Sequence, residues 1–252
     1  MLQKGHWDFL QNKVPEITLA FWIIKILSTT VGETVADYLT VNVGLGHSIT
    51  QFITWTLLIL VLIFQVRQKR YIPWIYWLSV VLISIVWTQI TDFFTDTLGV
   101  SLYITTPIFF ILLLIVFWVW YKSENTLSIH EITTRKRELF YWWAILCTFA
   151  LGTASGDLAT EAFSLWFTWW VAIFGFLILS TYLIFRFWVW PVLTFWIGYI
   201  LTRPFWASLG DLLTQDVTYG GLWLWASLTS IIFLAIIILL VWYAQYNHTK
   251  KS

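Results

Sequence analysis

The stretch FWIIKILSTTVGETVADYLT, residues 21–40, decides the fold. It opens on an aromatic–tryptophan pair, Phe21-Trp22, and closes on Asp37 and Thr40; fourteen residues separate tryptophan from aspartate and two separate aspartate from threonine. The frame returns as Tyr76-Trp77, Asp92 and Thr95, then as Tyr141-Trp142, Asp157 and Thr160, and finally as Phe195-Trp196, Asp211 and Thr214. Its tryptophans stand 55, 65 and 54 residues apart, a spacing that marks internal repetition and so constrains the architecture. Five residues before the aspartate, the first and third copies carry Gly32 and Gly152, whereas the second and fourth carry Trp87 and Trp206, so the copies read A-B-A′-B′. Size complementarity predicts that each of these bulky tryptophans packs on one of the glycines.

Working outward, the chain has 252 residues, 60% hydrophobic and 11% charged, with 20 Trp and 20 Phe. A soluble domain carries roughly 25% charged residues, and a disordered one is poor in aromatics, so both are excluded. The formal charge of +1 gives no electrostatic case for nucleic acid. One cysteine, Cys147, excludes a disulfide framework. A helix needs about 20 apolar residues to cross a bilayer, and eight such stretches are present, at approximately 16–40, 48–66, 72–95, 104–121, 139–161, 165–185, 190–213 and 222–244. The expected fold is an all-α polytopic membrane protein. A single membrane domain over 1–252 holds four parallel two-helix repeats, near 13–66, 71–121, 138–186 and 188–244, with a link at 122–138 between the halves. No signal peptide is expected before the first span, and the short connections predict antiparallel hairpins of sequence neighbours.

Twelve of the 14 basic residues fall on one side of this pattern: Lys4, Lys13, Arg67, Lys69, Arg70, Lys122, Arg135, Lys136, Arg137, Arg186, Lys250 and Lys251. The opposite loops hold none. Lys and Arg are retained in the cytoplasm, so both termini are expected there. Lys25 and Arg203 fall inside spans.

The stretch from Lys13 to Asp37, KVPEITLAFWIIKILSTTVGETVAD, resembles the first repeat of a bacterial family of membrane-anchored proteins of unknown function. That family is built from four tandem repeats, each with two transmembrane segments and a characteristic tryptophan. The resemblance implies eight spans, and with them a multi-pass protein of the bacterial inner (plasma) membrane. It implies no activity.

Odd-numbered spans run outward from the cytoplasm, which places Asp37, Asp92, Asp157 and Asp211 in one layer near their outer ends. Glu33 is one turn deeper, Arg203 two and Lys25 three, at about 5.4 Å per turn. Ionisable groups at such depth are costly, at least ~2.5 kcal/mol near the centre, and are paired or functional. Five acids face two bases, with threonine hydroxyls alongside. Carboxylate and hydroxyl oxygens suit a hard divalent cation such as Mn²⁺, Mg²⁺ or Ca²⁺, or a proton. The four histidines lie outside the spans, which disfavours haem, and no cofactor is expected. In span 1, Thr18, Trp22, Lys25, Thr29, Gly32 with Glu33, Ala36 and Thr40 share one face, predicted to turn inward. Trp22, Trp77, Trp142 and Trp196 read as packing between repeats. Even-numbered spans read as scaffold or lipid-facing surface.

No nucleophile stands beside a base, so no enzyme is expected. The leading expectation is a transporter of a small inorganic cation, coupled to protons. The four aspartates and Glu33 would bind the ion, and Lys25 and Arg203 would act as counter-charges. Two alternatives stand beside it: a non-transporting scaffold or sensor, and a binder of a small anionic or lipid-like ligand. The expected partners are the lipid bilayer and the transported cation or proton.

Overall fold

A continuous apolar stretch leaves the backbone only one way to satisfy its N–H and C=O groups within a single segment, which is the helix. The computed structural model describes residues 12–37, 39, 44, 46–163, 167–187, 191–214, 217, 221–222 and 226–251, and among them are eight α-helices and no strand. In chain order they are α1 (Leu19–Asp37), α2 (Gly46–Arg67), α3 (Pro73–Asp92), α4 (Leu102–Glu124), α5 (Arg135–Phe163), α6 (Phe167–Phe187), α7 (Pro191–Thr214) and α8 (Ala226–Lys251). Six are long and apolar enough to cross a membrane: α2, α3, α4, α5, α6 and α8. Local chemistry sets several ends. Pro73 starts α3, where its missing N–H costs nothing. A five-residue π-helical turn, Phe93–Thr97, continues α3. The Ser101 side chain accepts from Tyr103 N–H at the start of α4, and Asn125, at φ 54°, reverses the chain at its end.

The odd helices form an inner ring in the order α1–α3–α5–α7, closing back to α1. The even helices lie outside it, and each packs mainly on the odd helix that follows: α2 on α3, α4 on α5, α6 on α7, and α8 on α1. Of the expected hairpins of sequence neighbours, those between successive repeats (α2–α3, α4–α5 and α6–α7) are closely packed, and those within a repeat are not. Helices joined through the aspartate ends scarcely touch, whereas those joined through the opposite ends pack along their length. Burial separates the two layers: 72% of the apolar window is buried in α3 and α5, against 22% in α2 and α4, 11% in α6 and 6% in α8. The outer faces, with Phe52, Ile59, Ile108, Leu114, Phe176 and Leu239, are exposed and apolar. Lipid is the solvent that such a belt suits, and the chain is a multi-pass membrane protein.

The repeat aromatics close the ring at one end. Phe21 packs on Trp77 at 5.5 Å between ring centroids, Tyr76 on Trp142 at 5.4 Å, Tyr141 on Trp196 at 6.3 Å and Phe195 on Trp22 at 5.8 Å. Each repeat thus hands its leading aromatic to the tryptophan of the next, and the fourth hands back to the first. Each pair contributes about 0.5–1.5 kcal/mol beyond the area it buries. Tyr76 Oη and Tyr141 Oη share a hydrogen bond of 2.5 Å across this ring.

The glycines meet other partners than expected. A Cβ on Gly32 would stand 2.2 Å from Ser84 Oγ, and one on Gly152 would stand 2.2 Å from Arg203 Cγ. Trp87 instead packs edge-on against Phe109 of α4 at 5.9 Å, and the ring neighbouring Trp206 is Phe205, adjacent in sequence. The side chains nearest the two glycines are thus Ser84 and Arg203 in place of the expected tryptophans. Three residues earlier on the same helices, Ser84 and Arg203 fill the space instead, because that position faces the inner ring while Trp87 turns out toward α4.

Replacing Gly32 or Gly152 by alanine should lower the thermal stability of the detergent-solubilised protein by about 1–3 kcal/mol. Gly198→Ala, whose Cβ would meet Trp22 Cη2 at an ordinary 3.6 Å, should be neutral or gain up to about 1 kcal/mol from helix propensity. Thermal unfolding of the three variants side by side checks the order.

Candidate functional site

Counting from each repeat tryptophan sorts the interior into layers. Three residues on stand Lys25, Val80, Ile145 and Tyr199; seven on stand Thr29, Ser84, Phe149 and Arg203; eleven on stand Glu33, Thr88, Thr153 and Ala207. The rise of 1.5 Å per residue puts the second layer about 10 Å from the aromatic ring.

Arg203 projects from α7 into the middle of this interior, 2% exposed, through the gap that Gly152 leaves. Its Nε donates to Thr153 Oγ1 at 3.1 Å. One terminal nitrogen donates to the Thr29 carbonyl at 3.1 Å and to Ser84 Oγ at 2.9 Å. The other donates to Thr88 Oγ1 at 2.8 Å and to Thr153 Oγ1 at 2.7 Å. The guanidinium, with the fork geometry that lysine lacks, thus ties α7 to α1, α3 and α5. Ser84 Oγ donates to the same Thr29 carbonyl at 3.2 Å.

Lys25 is one turn nearer the aromatic ring and 1% exposed. Its Nζ donates to the Tyr199 carbonyl at 2.9 Å and to Thr202 Oγ1, both on α7. It also sits 4.4 Å from the Tyr199 ring centroid and 5.7 Å from that of Phe149, an arrangement whose cation–π attraction grows when desolvated. Among the described residues Lys25 forms no ion pair.

The expected site residues are placed as follows. Lys25 and Arg203 come together in the interior. Trp22, Trp77, Trp142 and Trp196 are in the aromatic ring. Asp92 and Asp157 are half-buried toward the far ends of α3 and α5. Glu33, Asp37 and Asp211 lie in helical backbone, and their side chains are outside the described residues. Among the described residues no three His, Cys, Asp or Glu side chains gather as metal ligands. On the inward face of α1, Lys25, Thr29 and Gly32 are buried and Trp22 is half-buried, whereas Thr18 is exposed and accepts from Phe21 N–H at the helix start.

A second cluster was not foreseen. Lys13 Nζ reaches Glu138 Oε2 at 2.5 Å, with both side chains buried, and donates to the Val66 carbonyl at 3.2 Å. Gln65 Nε2 donates to the other Glu138 oxygen at 3.1 Å. Glu138 is in the first turn of α5, a segment that composition marks as solvated link. Its neighbours Lys136 and Arg137 do pair on the surface, with Glu124 at 3.2 and 3.0 Å. Nearby, burial pushes the Tyr71 phenol above its ordinary range, only partly offset by its hydrogen bond with Trp77.

Residues 20–71 and 75–126 match a Repeat of Unknown Function (DUF347), as two tandem copies. The copies coincide with α1–α2 and α3–α4, and the match supports the resemblance to a tandem-repeat family of unknown function. No curated protein and no solved structure matches the chain.

Thr153→Val removes the one hydroxyl oxygen that accepts two hydrogen bonds from a buried guanidinium and should cost about 1.5–3 kcal/mol per lost charged hydrogen bond. Thr181→Val, whose hydroxyl is exposed and bonds its own helix, should change stability by less than about 0.5 kcal/mol. Chemical or thermal unfolding in one detergent compares them.

Proposed function

We propose that the protein is an inner-membrane transporter of a small inorganic cation of the hard divalent class, coupled to protons, with its path inside α1, α3, α5 and α7. In this reading all eight helices span the bilayer in four parallel repeats, and the segregated basic residues hold both termini in the cytoplasm. The aromatic ring then lies toward the cytoplasm and the aspartates toward the outside. One observation carries the reading: buried hydroxyls and the two buried bases Lys25 and Arg203 converge inside the inner ring, while the outer helices offer lipid an apolar face. A protein that needed only to fold in lipid gains little from two cations at its centre.

The roles divide by depth. Asp37, Asp92, Asp157 and Asp211 would collect the ion at the outer end. Arg203 and Lys25 oppose its further movement, so the path is no open pore, and the ion advances only when a carboxylate takes up one of these charges. Glu33 is suited to that exchange, because it holds in repeat one the position of Thr88 and Thr153, the hydroxyls that Arg203 uses. Proton binding to the same carboxylates would compete with the ion and couple the two.

The second reading is a non-transporting scaffold. It is favoured by the guanidinium itself, whose five N–H donors are all engaged. Uptake of Mn²⁺ and Mg²⁺ into proteoliposomes, with a pH gradient imposed, separates the two. Asparagine at each motif aspartate should reduce the initial rate about tenfold, equivalent to ~1.4 kcal/mol of lost ion contact, with insertion intact. Normal rates in all four variants would exclude the ion-binding role. Absent flux in the unaltered protein, with stability lost on each substitution, would establish the scaffold.

A further inference from the structure

Three segments outside the helices meet beneath the aromatic ring. The link between α4 and α5 turns inward, burying Ile129 at 3% and Ile132 at 0% exposure among Trp120, Trp142 and Trp196. Its Leu127 carbonyl accepts from Trp196 Nε1 at 3.0 Å. Residues 12–18 run across this link as a strap: Asn12 Nδ2 donates to the Ile129 carbonyl and Lys13 N–H to the Ile132 carbonyl, each at 3.0 Å. Tyr71 N–H, from the α2–α3 turn, donates to the Asn12 carbonyl at 3.3 Å. The strap is pinned at Lys13, whose ammonium joins Glu138 on α5 to the end of α2.

We infer that the strap and link form a gate over the aromatic end of the interior, and that the Lys13–Glu138 pair is its latch. The inference rests on the transport reading for its purpose, though not for its geometry. The aromatic pairs that close the ring are contacts among the inner helices themselves, and the plug of strap and link is laid over that end. The plug covers that end with two isoleucines and fastens itself through a charge pair taken out of water. Such a pair is a poor general stabiliser, because apolar residues of like volume do as well or better. Losing either partner, by contrast, leaves a buried charge unmatched and favours release. The hold is thus strong when closed and lost as a unit, as a gate requires. Opening would expose the link's apolar face and the four aromatic pairs to the aqueous phase on that side.

The test uses the full chain with Cys147→Ser, which leaves it free of cysteine, and Ile132→Cys as reporter. Membrane vesicles of both orientations are treated with an impermeant maleimide. With the latch intact, labelling should be slow from either side. Lys13→Gln or Glu138→Gln should speed it at least about tenfold from one side only, since a lone buried charge is strongly disfavoured. The charge exchange Lys13→Glu with Glu138→Lys should restore slow labelling. Ala150→Cys, fully buried deeper in α5, should stay protected throughout. Equal rates in all backgrounds would overturn the latch. Simultaneous labelling at position 150 would overturn it too, by making the pair a support for the whole bundle. A latch that opens in a protein without flux would stand while the transport reading fell. Flux with unaltered protection of position 132 would give the reverse.

Discussion

The passing of an aromatic side chain from each repeat to the tryptophan of the next is the interaction on which the structure depends. Lipid offers no hydrophobic drive to bring helices together, so association must come from packing and from polar contacts. The four aromatic pairs supply the first in a closed circle, from Phe21 on Trp77 round to Phe195 on Trp22. Closure sets the rotation of every inner helix at once, because each must present one ring to its left and accept one from its right. With rotation settled, the residues seven and eleven positions farther along point inward together. Arg203, Ser84, Thr88 and Thr153 meet for that reason.

The same geometry explains the A-B alternation. Within each A-B pair the helices approach until a side chain of the B helix occupies the place of a missing Cβ, Ser84 against Gly32 and Arg203 against Gly152. Ser84 and Arg203 occupy the same repeat position, and both send a hydrogen bond to the Thr29 carbonyl. A small hydroxyl and a long cation thus perform one bridging role in two halves of a duplicated design. The cation reaches further and joins α7 to α1, α3 and α5 at once, whereas Ser84 meets α1 and α7.

Much of this was legible in the residues. The tryptophan–aspartate frame carries the eight helices and the separation of inner from outer layers, since a polar stripe at helical spacing has no place against lipid. Burial of Lys25 and Arg203 follows from their depth. Partner choice was not legible: the 3.6-residue period says which face turns inward, not which helix it meets. The bulk of Trp87 drew attention away from Ser84, although aligning the repeats on their tryptophans places Ser84 and Arg203 together. Lys13 and Glu138 were hidden for a different reason. They lie 125 positions apart in segments with the composition of solvated loops, and nothing local marks either as buried.

The ring's order of assembly has a consequence for synthesis at the membrane. Helix α1 carries a short apolar stretch, Leu19–Gly32, with Lys25 in its middle, and the groups that satisfy that ammonium are on α7, more than 170 residues later. Its outer cover, α8, emerges later still. While the middle helices are being made, α1 has neither. The first helix of the ring is therefore the last to be housed, and it must wait in a protected setting, at the insertion machinery or the lipid headgroups, until α7 and α8 arrive.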